Sequence, residues 1–423
     1  MDTKRVADYL KRNGIRSTYY AVKQHIGNGK VDREYDREFK KTLGKAGDES
    51  ALARQTGSCL PYRPLISVLV PTYKPEDKYF REMLRSVKAQ TYGNFELLLG
   101  AGGGISENTN AALGEARGDY IALLDQDDFI EPDALYRIAL EANMGANLIY
   151  TDEDKYDTEG DRYLRPFRKP DFDLELLLSN NYVCHFLAVK RELALEAGGF
   201  RSEYDGAQDH DFILRCAERI SPDEVGHVRR VLYHWRIHKG STAGDPSEKS
   251  YAHEAGKRAI EDYLKRTGRD AAVSETEHRG FYRVDYRAEA GEEDAYVMHL
   301  GDGIRPLHRG YEEEMRGYLA ANPDVGAIGG RVIDRMGRVL SAGYERNEDG
   351  EIVPLYRGMD YRLSGEFHMA SLRRKVDIVS NQCMMVRSSL ESCTDKDSGR
   401  MCRKIRDRGY RIVIDPQAVF LKK

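Results

Sequence analysis

Three carboxylates fall within four residues, Asp125, Asp127 and Asp128 with Gln126 between them, directly behind the apolar run YIALL. Crowded like charges disfavour one another unless a cation, a basic neighbour or water compensates them. A diphosphate bridged by Mg²⁺ or Mn²⁺ would do so, because such cations take carboxylate and phosphate oxygens. The plain alternative is an acidic loop capping the next helix, since Asp at a helix N-terminus is favourable by itself. A second apolar run, LISVLV, closes in the same manner on Pro71, Thr72 and Tyr73. Gly102, Gly103 and Gly104 either cradle phosphate through backbone donors or splice two elements together. Arg162, Arg165, Arg168 and Lys169 lie among the aromatics of RYLRPFRKPDF. They read either as a loop greeting an anionic lipid-diphosphate at a membrane surface or as an ordinary charged loop. The six cysteines show no CxxC pair and no matching His spacing, so they read as reduced structural thiols.

The elements needed to position these residues can be read from apolar periodicity. LISVLVPTY is continuous, β-branched and closed by proline, which suits a strand buried on both faces. KYFREMLRSVKAQTY repeats its apolar residues at helical spacing, and FELLLG returns to strand character, giving a βαβ unit. YIALLD and NLIYTDED are further strands, separated by the helix PDALYRIALEAN. This alternation predicts an α/β, Rossmann-like, mostly parallel sheet, whose ligands would sit beyond the carboxyl ends of the strands. Residues 1–64 read as a helical extension and linker, 65–270 as the main domain, and 285–423 as a smaller α/β domain. In the last, DVGAIGGRVI, VDIVSNQCMMV and YRIVIDP are expected strands, and YEEEMRGYLAAN and SGRMCRKIRDRG are expected helices.

Among the 423 residues, 66 Lys and Arg face 70 Asp and Glu, a net charge of −4. That balance leaves no basic footprint for nucleic acid, and no Walker loop is present. There is no apolar run of the roughly 20 residues that a membrane span needs, and MDTKRVADYLKRNG lacks the apolar core of a signal peptide. A cytoplasmic chain is expected, with peripheral contact at the inner face of the membrane through the basic loop. Nothing in the sequence speaks to oligomeric state.

The order ISVLVPTY, SVKAQTYGNFELLL, GISENTNAALGEARGDYIALLDQDD, GGFRSEYDGAQDHDFILRC and VLYHWRIHKGSTA resembles that of family 2 glycosyltransferases of the GT-A fold. The nearest subgroup is the bacterial cell-surface polysaccharide and rhamnosyltransferase-like enzymes. The resemblance covers roughly residues 65–265, and TDEDK and SNNYVCHFLAVKR fit the same subgroup. It implies an inverting, metal-dependent transfer of sugar from a UDP- or dTDP-sugar to a glycan or lipid-linked glycan acceptor. By the same resemblance, Pro71, Thr72, Tyr73, Asn110, Asp125, Asp127 and Asp128 hold the nucleotide sugar. Asp209 is the general base, Asp152, Glu153 and Asp211 meet the acceptor, and Asp127 with His234 or His238 holds Mn²⁺ or Mg²⁺. FELLLG runs straight into AGGGIS, where relatives carry a base-binding Asp and about thirty further residues. Gly301-Asp302-Gly303 likewise stands in place of an acidic triplet in a second, partial family 2 domain over about 294–418. These losses motivate a second expectation, a catalytically degenerate relative that acts as a glycan-binding or scaffold protein.

Overall fold

The computed structural model describes residues 3–43, 55, 59–238, 250–287, 295–347 and 349–423. The KGSTA end of the histidine motif and most of the segment joining the first helix to Leu65 lie outside them. The chain forms two compact units, one of residues 27–172 and 181–263, the other of 1–26, 173–180 and 264–423.

The helix α1 (Thr3–Leu43) contributes to both units and is interrupted at Gly14, where φ is +78°. In the larger unit there follow β1 (Ile66–Pro71), α2 (Asp77–Lys88), β2 (Phe95–Gly100), α3 (Ile105–Glu115) and β3 (Tyr120–Leu123). Next come β4 (Phe129–Ile130), α4 (Ala134–Asn143), β5 (Leu148–Asp157) and β6 (Arg162–Phe167). Helix α5 (Leu174–Ser179) belongs to the other unit. The larger unit then closes with β7 (Leu187–Lys190), α6 (Arg191–Glu196), α7 (Gln208–Ala217), β8 (Val225–Ile237) and most of α8 (Ser250–Arg266).

The sheet order is β2-β1-β3-β7-β5-β8-β4, with β6 on the outer part of β5. Strands β2, β1, β3, β5 and β8 run one way, and β7 and β4 the other. The α/β, mostly parallel expectation therefore holds. Buried β-branched residues explain β1: Ile66, Val68 and Val70 pack with Met83 and Val87 of α2 and with Ile138 of α4. RYLRPF, read as a loop from the sequence, is strand β6, because its backbone completes the ladder of the long β5.

Strand β2 passes almost directly into α3. A Cβ on Gly100 would lie 1.7 Å from the Asn108 carbonyl oxygen, so only glycine lets the strand end against the helix. The following N–H groups are already used: Gly103 donates to Asn108 Oδ1 at 2.8 Å and Gly104 to Glu107 Oε2 at 3.0 Å. Two of the three glycine N–H groups are thus spent on the first turn of α3, which favours the splice over the phosphate cradle.

The smaller unit contains β9 (Ala271–Glu275), β10 (Tyr282–Tyr286), β11 (Tyr296–Leu300), β12 (Ile304–Pro306), α9 (Tyr311–Ala321), β13 (Val325–Ile333) and β14 (Val339–Ser341). It continues with β15 (Tyr344–Arg346), β16 (Ile352–Pro354), β17 (Arg374–Lys375), β18 (Cys383–Arg387), α10 (Ser398–Arg406) and β19 (Arg411–Lys422). Its main sheet runs β11-β18-β13-β19-β12, and β13 is buried along its whole length. Asp173 caps α5, accepting from Glu175 N at 3.0 Å and Lys375 N at 2.6 Å. Asp302 sits exposed in a turn closed by Ile304 N donating to Gly301 O. Among the described residues no helix is long and apolar enough to cross a membrane, and all six cysteines are free thiols.

Candidate active site

Sheet register brings the predicted motifs to one rim. Leu123 pairs with Leu187 across the antiparallel β3 and β7, so the residues after Leu123 and those before Leu187 share one end. Tyr150 also pairs with Leu187, which brings Asp152, Glu153 and Asp154 to that end. Strand β8 runs parallel to β5, with Glu153 opposite Tyr233 and Asp154 opposite His234. The carboxyl end of β1 arrives there as well, since Thr72 N and Oγ1 both donate to Gly100 O. Gln126 ties it to the acidic loop: its amide oxygen accepts from Tyr73 N at 2.8 Å and its amide nitrogen donates to Tyr73 O at 3.1 Å. The Tyr73 ring itself is exposed.

The three crowded carboxylates are not equivalent. Asp128 is buried and accepts from Tyr233 Oη at 2.5 Å and from Arg236 N at 2.8 Å. Burial, then the charges of Asp125 and Asp127, push its carboxyl well above the usual range. The buried Arg236 guanidinium donates to Asp127 O at 2.6 Å and pairs with Glu82 at 2.7 Å. Part of the repulsion expected from the sequence is therefore relieved inside the protein. Asp128 anchors the loop, which corrects its expected place against the nucleotide. Asp127 keeps a half-exposed carboxylate, with Oδ2 2.8 Å from His238 Nε2.

His234 is the other correction at the metal side. It is fully buried, with Nδ1 2.6 Å from Asp154 Oδ1 and Nε2 2.9 Å from Glu131 Oε1. Its ring stacks on Phe129 at 4.6 Å, and Tyr35 of α1 donates to the other Asp154 oxygen at 2.7 Å. With both nitrogens engaged, it has none for a metal, and His238 alone remains. Burial opposes charge on His234, but Asp154 and then Glu131 outweigh it and raise the ring to about 9. The folded value exceeds the ordinary 6.5, so the stabilisation is complete below about pH 6.5 and is lost as pH rises through about 9. Melting temperature measured across that window should fall for the native chain and change less for His234→Asn. Equal slopes would sink the assignment.

Three further residues hold structure. Asn110, expected at the nucleotide, donates to Phe200 O at 2.7 Å and accepts from Phe200 N at 2.8 Å, a two-way latch on the GGF turn. Asp152 is buried and accepts from Lys169 N and from His227 Nε2, both at 2.9 Å. Asp211 is buried between Arg215, at 2.7 Å, and Arg201. All three carry protein partners where the sequence suggested ligand contacts. Lys169, expected among the basic residues facing a membrane, is also buried, donating to Glu153 at 2.9 Å, Val183 O at 3.1 Å and His185 O. Glu153 stays at the rim as its partner.

Asp209 opens α7 and is half-buried. Asn181 Nδ2 at 2.8 Å and Cys184 Sγ at 3.0 Å both donate to its Oδ2. Neither residue stood out in the sequence; only the turn before β7 brings them to Asp209. His185 was also missed. It stacks on Tyr233 at 4.6 Å and its Nδ1 is buried without a hydrogen bond.

A cation fits part of this rim. Asp127 and His238 are carboxylate and imidazole donors of the kind Mn²⁺ accepts. Among the described residues, no group of three His, Cys, Asp or Glu side chains could hold a metal unaided. The remaining ligands would come from water and a bound diphosphate.

Residues 98–196 match the family model Glycosyl transferase family 2. Over 253 residues, 52% of this chain, the sequence is 40% identical to protein y4gI of Sinorhizobium fredii and 34% identical to O-antigen biosynthesis protein RfbC of Myxococcus xanthus. The chain spans 27% and 20% of the lengths of these two relatives. It is 25% identical over 209 residues to the chondroitin synthase of Pasteurella multocida, covering 43% of this chain and 21% of that one. The crystal structure of S. aureus TarS 1-349 in complex with UDP-GlcNAc aligns with 47% of this chain and 66% of that chain, at 17% identity and a TM-score of 0.38. The matched stretch runs from the end of β2 to α6 and includes the Asp125–Asp128 loop, so this part of the larger unit is similar to glycosyl transferase family 2.

Proposed function

We propose that the chain transfers a sugar, with inversion, from a nucleotide-sugar donor to a glycan or lipid-linked glycan acceptor in bacterial surface polysaccharide synthesis. The observation that carries this reading is the shared rim: Asp125 and Asp127 follow β3, and Asp209 is held by residues just before the neighbouring β7. Donor and acceptor sides thus meet at the carboxyl edge of one sheet. Thr72, Tyr73, Asp125 and Asp127 face the nucleotide sugar, and Glu153 lies toward the acceptor. Asp209 takes the proton of the acceptor hydroxyl as its oxygen attacks the anomeric carbon, and the nucleoside diphosphate leaves in a single displacement. Asp127 and His238 would hold Mn²⁺ or Mg²⁺, which when bound supplies positive charge to the departing diphosphate. The smaller unit takes a structural or acceptor-guiding role, since Gly301-Asp302-Gly303 offers one carboxylate where the larger unit has three. The functions carried in the names of RfbC and chondroitin synthase, O-antigen biosynthesis and chondroitin synthesis, agree with a glycan product.

The direct passage of β2 into α3 at Gly100 favours one second reading, a scaffold that has lost nucleotide binding. A thermal-shift screen separates the two. With Mn²⁺ and UDP or dTDP at a hundred times its dissociation constant, the enzyme reading expects about 2.7 kcal/mol of added stability. Asp127→Ala should abolish that shift. No response to any nucleotide with Mn²⁺ would instead support the scaffold.

A further inference from the structure

The two carboxylate oxygens of Asp209 are treated differently. Oδ2 accepts from Asn181 Nδ2 at 2.8 Å and Cys184 Sγ at 3.0 Å, whereas Oδ1 has no hydrogen-bond partner among the described residues. Burial and then the Asp209 charge push the Cys184 thiol well above its ordinary value, so it keeps its proton and acts as donor. Asn181 Oδ1 is buried without a hydrogen bond. A buried acceptor left unmatched is unfavourable, and it persists here because the amide must turn its N–H groups toward the carboxylate. The segment carrying both donors is itself held. The Lys169 ammonium, fully buried, donates to the carbonyls of Val183 and His185 on either side of Cys184 and pairs with Glu153 at 2.9 Å.

We propose that Asn181 and Cys184 are positioning residues that pin Oδ2 of Asp209, so that Oδ1 alone is presented to the acceptor hydroxyl. This rests on the reading of Asp209 as the base. Two donors from different directions fix both the tilt and the rotation of the carboxylate, and proton transfer to a fixed oxygen avoids a search among rotamers during attack. Lys169 extends the arrangement by one shell, because it immobilises the backbone from which the thiol projects.

Initial rates should be measured over donor and acceptor concentration for the full chain, with a UDP- or dTDP-sugar as donor and an octyl glycoside as acceptor. Cys184→Ala and Asn181→Ala should each lower kcat about tenfold while the donor KM stays unchanged, as for loss of one hydrogen bond. Cys184→Ser, which restores a donor, should return to within about threefold of the native rate. A direct readout needs no turnover: the Raman S–H band lost in Cys184→Ser should shift to higher frequency in Asp209→Ala. Native kcat in both alanine variants, a serine variant no faster than alanine, or an unmoved S–H band would each overturn the proposal. If Asp209→Asn is inactive while the alanine variants are native-like, only the positioning role fails. If Asp209→Asn itself transfers sugar normally, the base assignment fails with it.

Discussion

Asp209→Asn should lower transfer to the acceptor by about a thousandfold, within the range that a positioned general base contributes, while leaving nucleotide binding intact. The asparagine keeps the size of the side chain and can still meet Asn181 and Cys184, so the fold around α7 is preserved. What disappears is the lone pair that accepts the hydroxyl proton. Donor binding is unaffected because the loops that reach the nucleotide, Thr72-Tyr73 and Asp125–Asp127, are joined to each other through Gln126 and not through Asp209. The measurement is a pair: acceptor-dependent turnover and nucleotide thermal shift on one preparation. Transfer within tenfold of native would remove Asp209 from the mechanism, whatever the shift shows.

Asp211→Ala should have the largest effect on stability, a loss of about 3–5 kcal/mol, because it leaves a buried arginine without its counter-charge. Arg215 is buried, and Asp211 Oδ2 receives its Nε at 3.0 Å and its Nη2 at 2.7 Å. The same carboxylate binds Arg201, which also pairs with Asp262 of α8 at 2.9 Å. The substitution therefore loosens α7, the GGF turn and α8 together. Urea or thermal unfolding measures it. A loss below about 1 kcal/mol, the scale of an exposed pair, combined with a raised acceptor KM, would return Asp211 to the acceptor-binding role read from the sequence.

These two aspartates stand two residues apart in AQDHDF, and their contrast shows what a linear pattern carries. Both are acidic residues in the first turn of a helix, where the dipole favours them equally. Residue type and spacing cannot say which one looks outward, because a two-residue step on a helix turns the side chain through roughly 200°. One therefore meets the rim and the other the arginines beneath it. The histidines of HWRIH differ for a related reason. Inside β8, His234 lies under Phe129 and beside Asp154, while His238 comes just after the strand and reaches Asp127. Asp128 differs from Asp127 because Tyr233 and the Arg236 amide, more than a hundred positions away in sequence, claim both its oxygens.

The sequence by itself determined the α/β class and the strand that leads into the acidic motif, and its motif order carried the resemblance to family 2 glycosyltransferases. Those features are local: apolar period, proline and glycine punctuation, and motif order are written along the chain and survive without any knowledge of packing. Only the tertiary structure decided which carboxylates and imidazoles remain available for chemistry. Burial and pairing depend on residues distant in sequence, here Tyr35 with Asp154, Arg201 with Asp211, Lys169 with Glu153, and Cys184 with Asp209. A side chain's charge is set by its type, but its availability is set by the neighbours that the fold delivers.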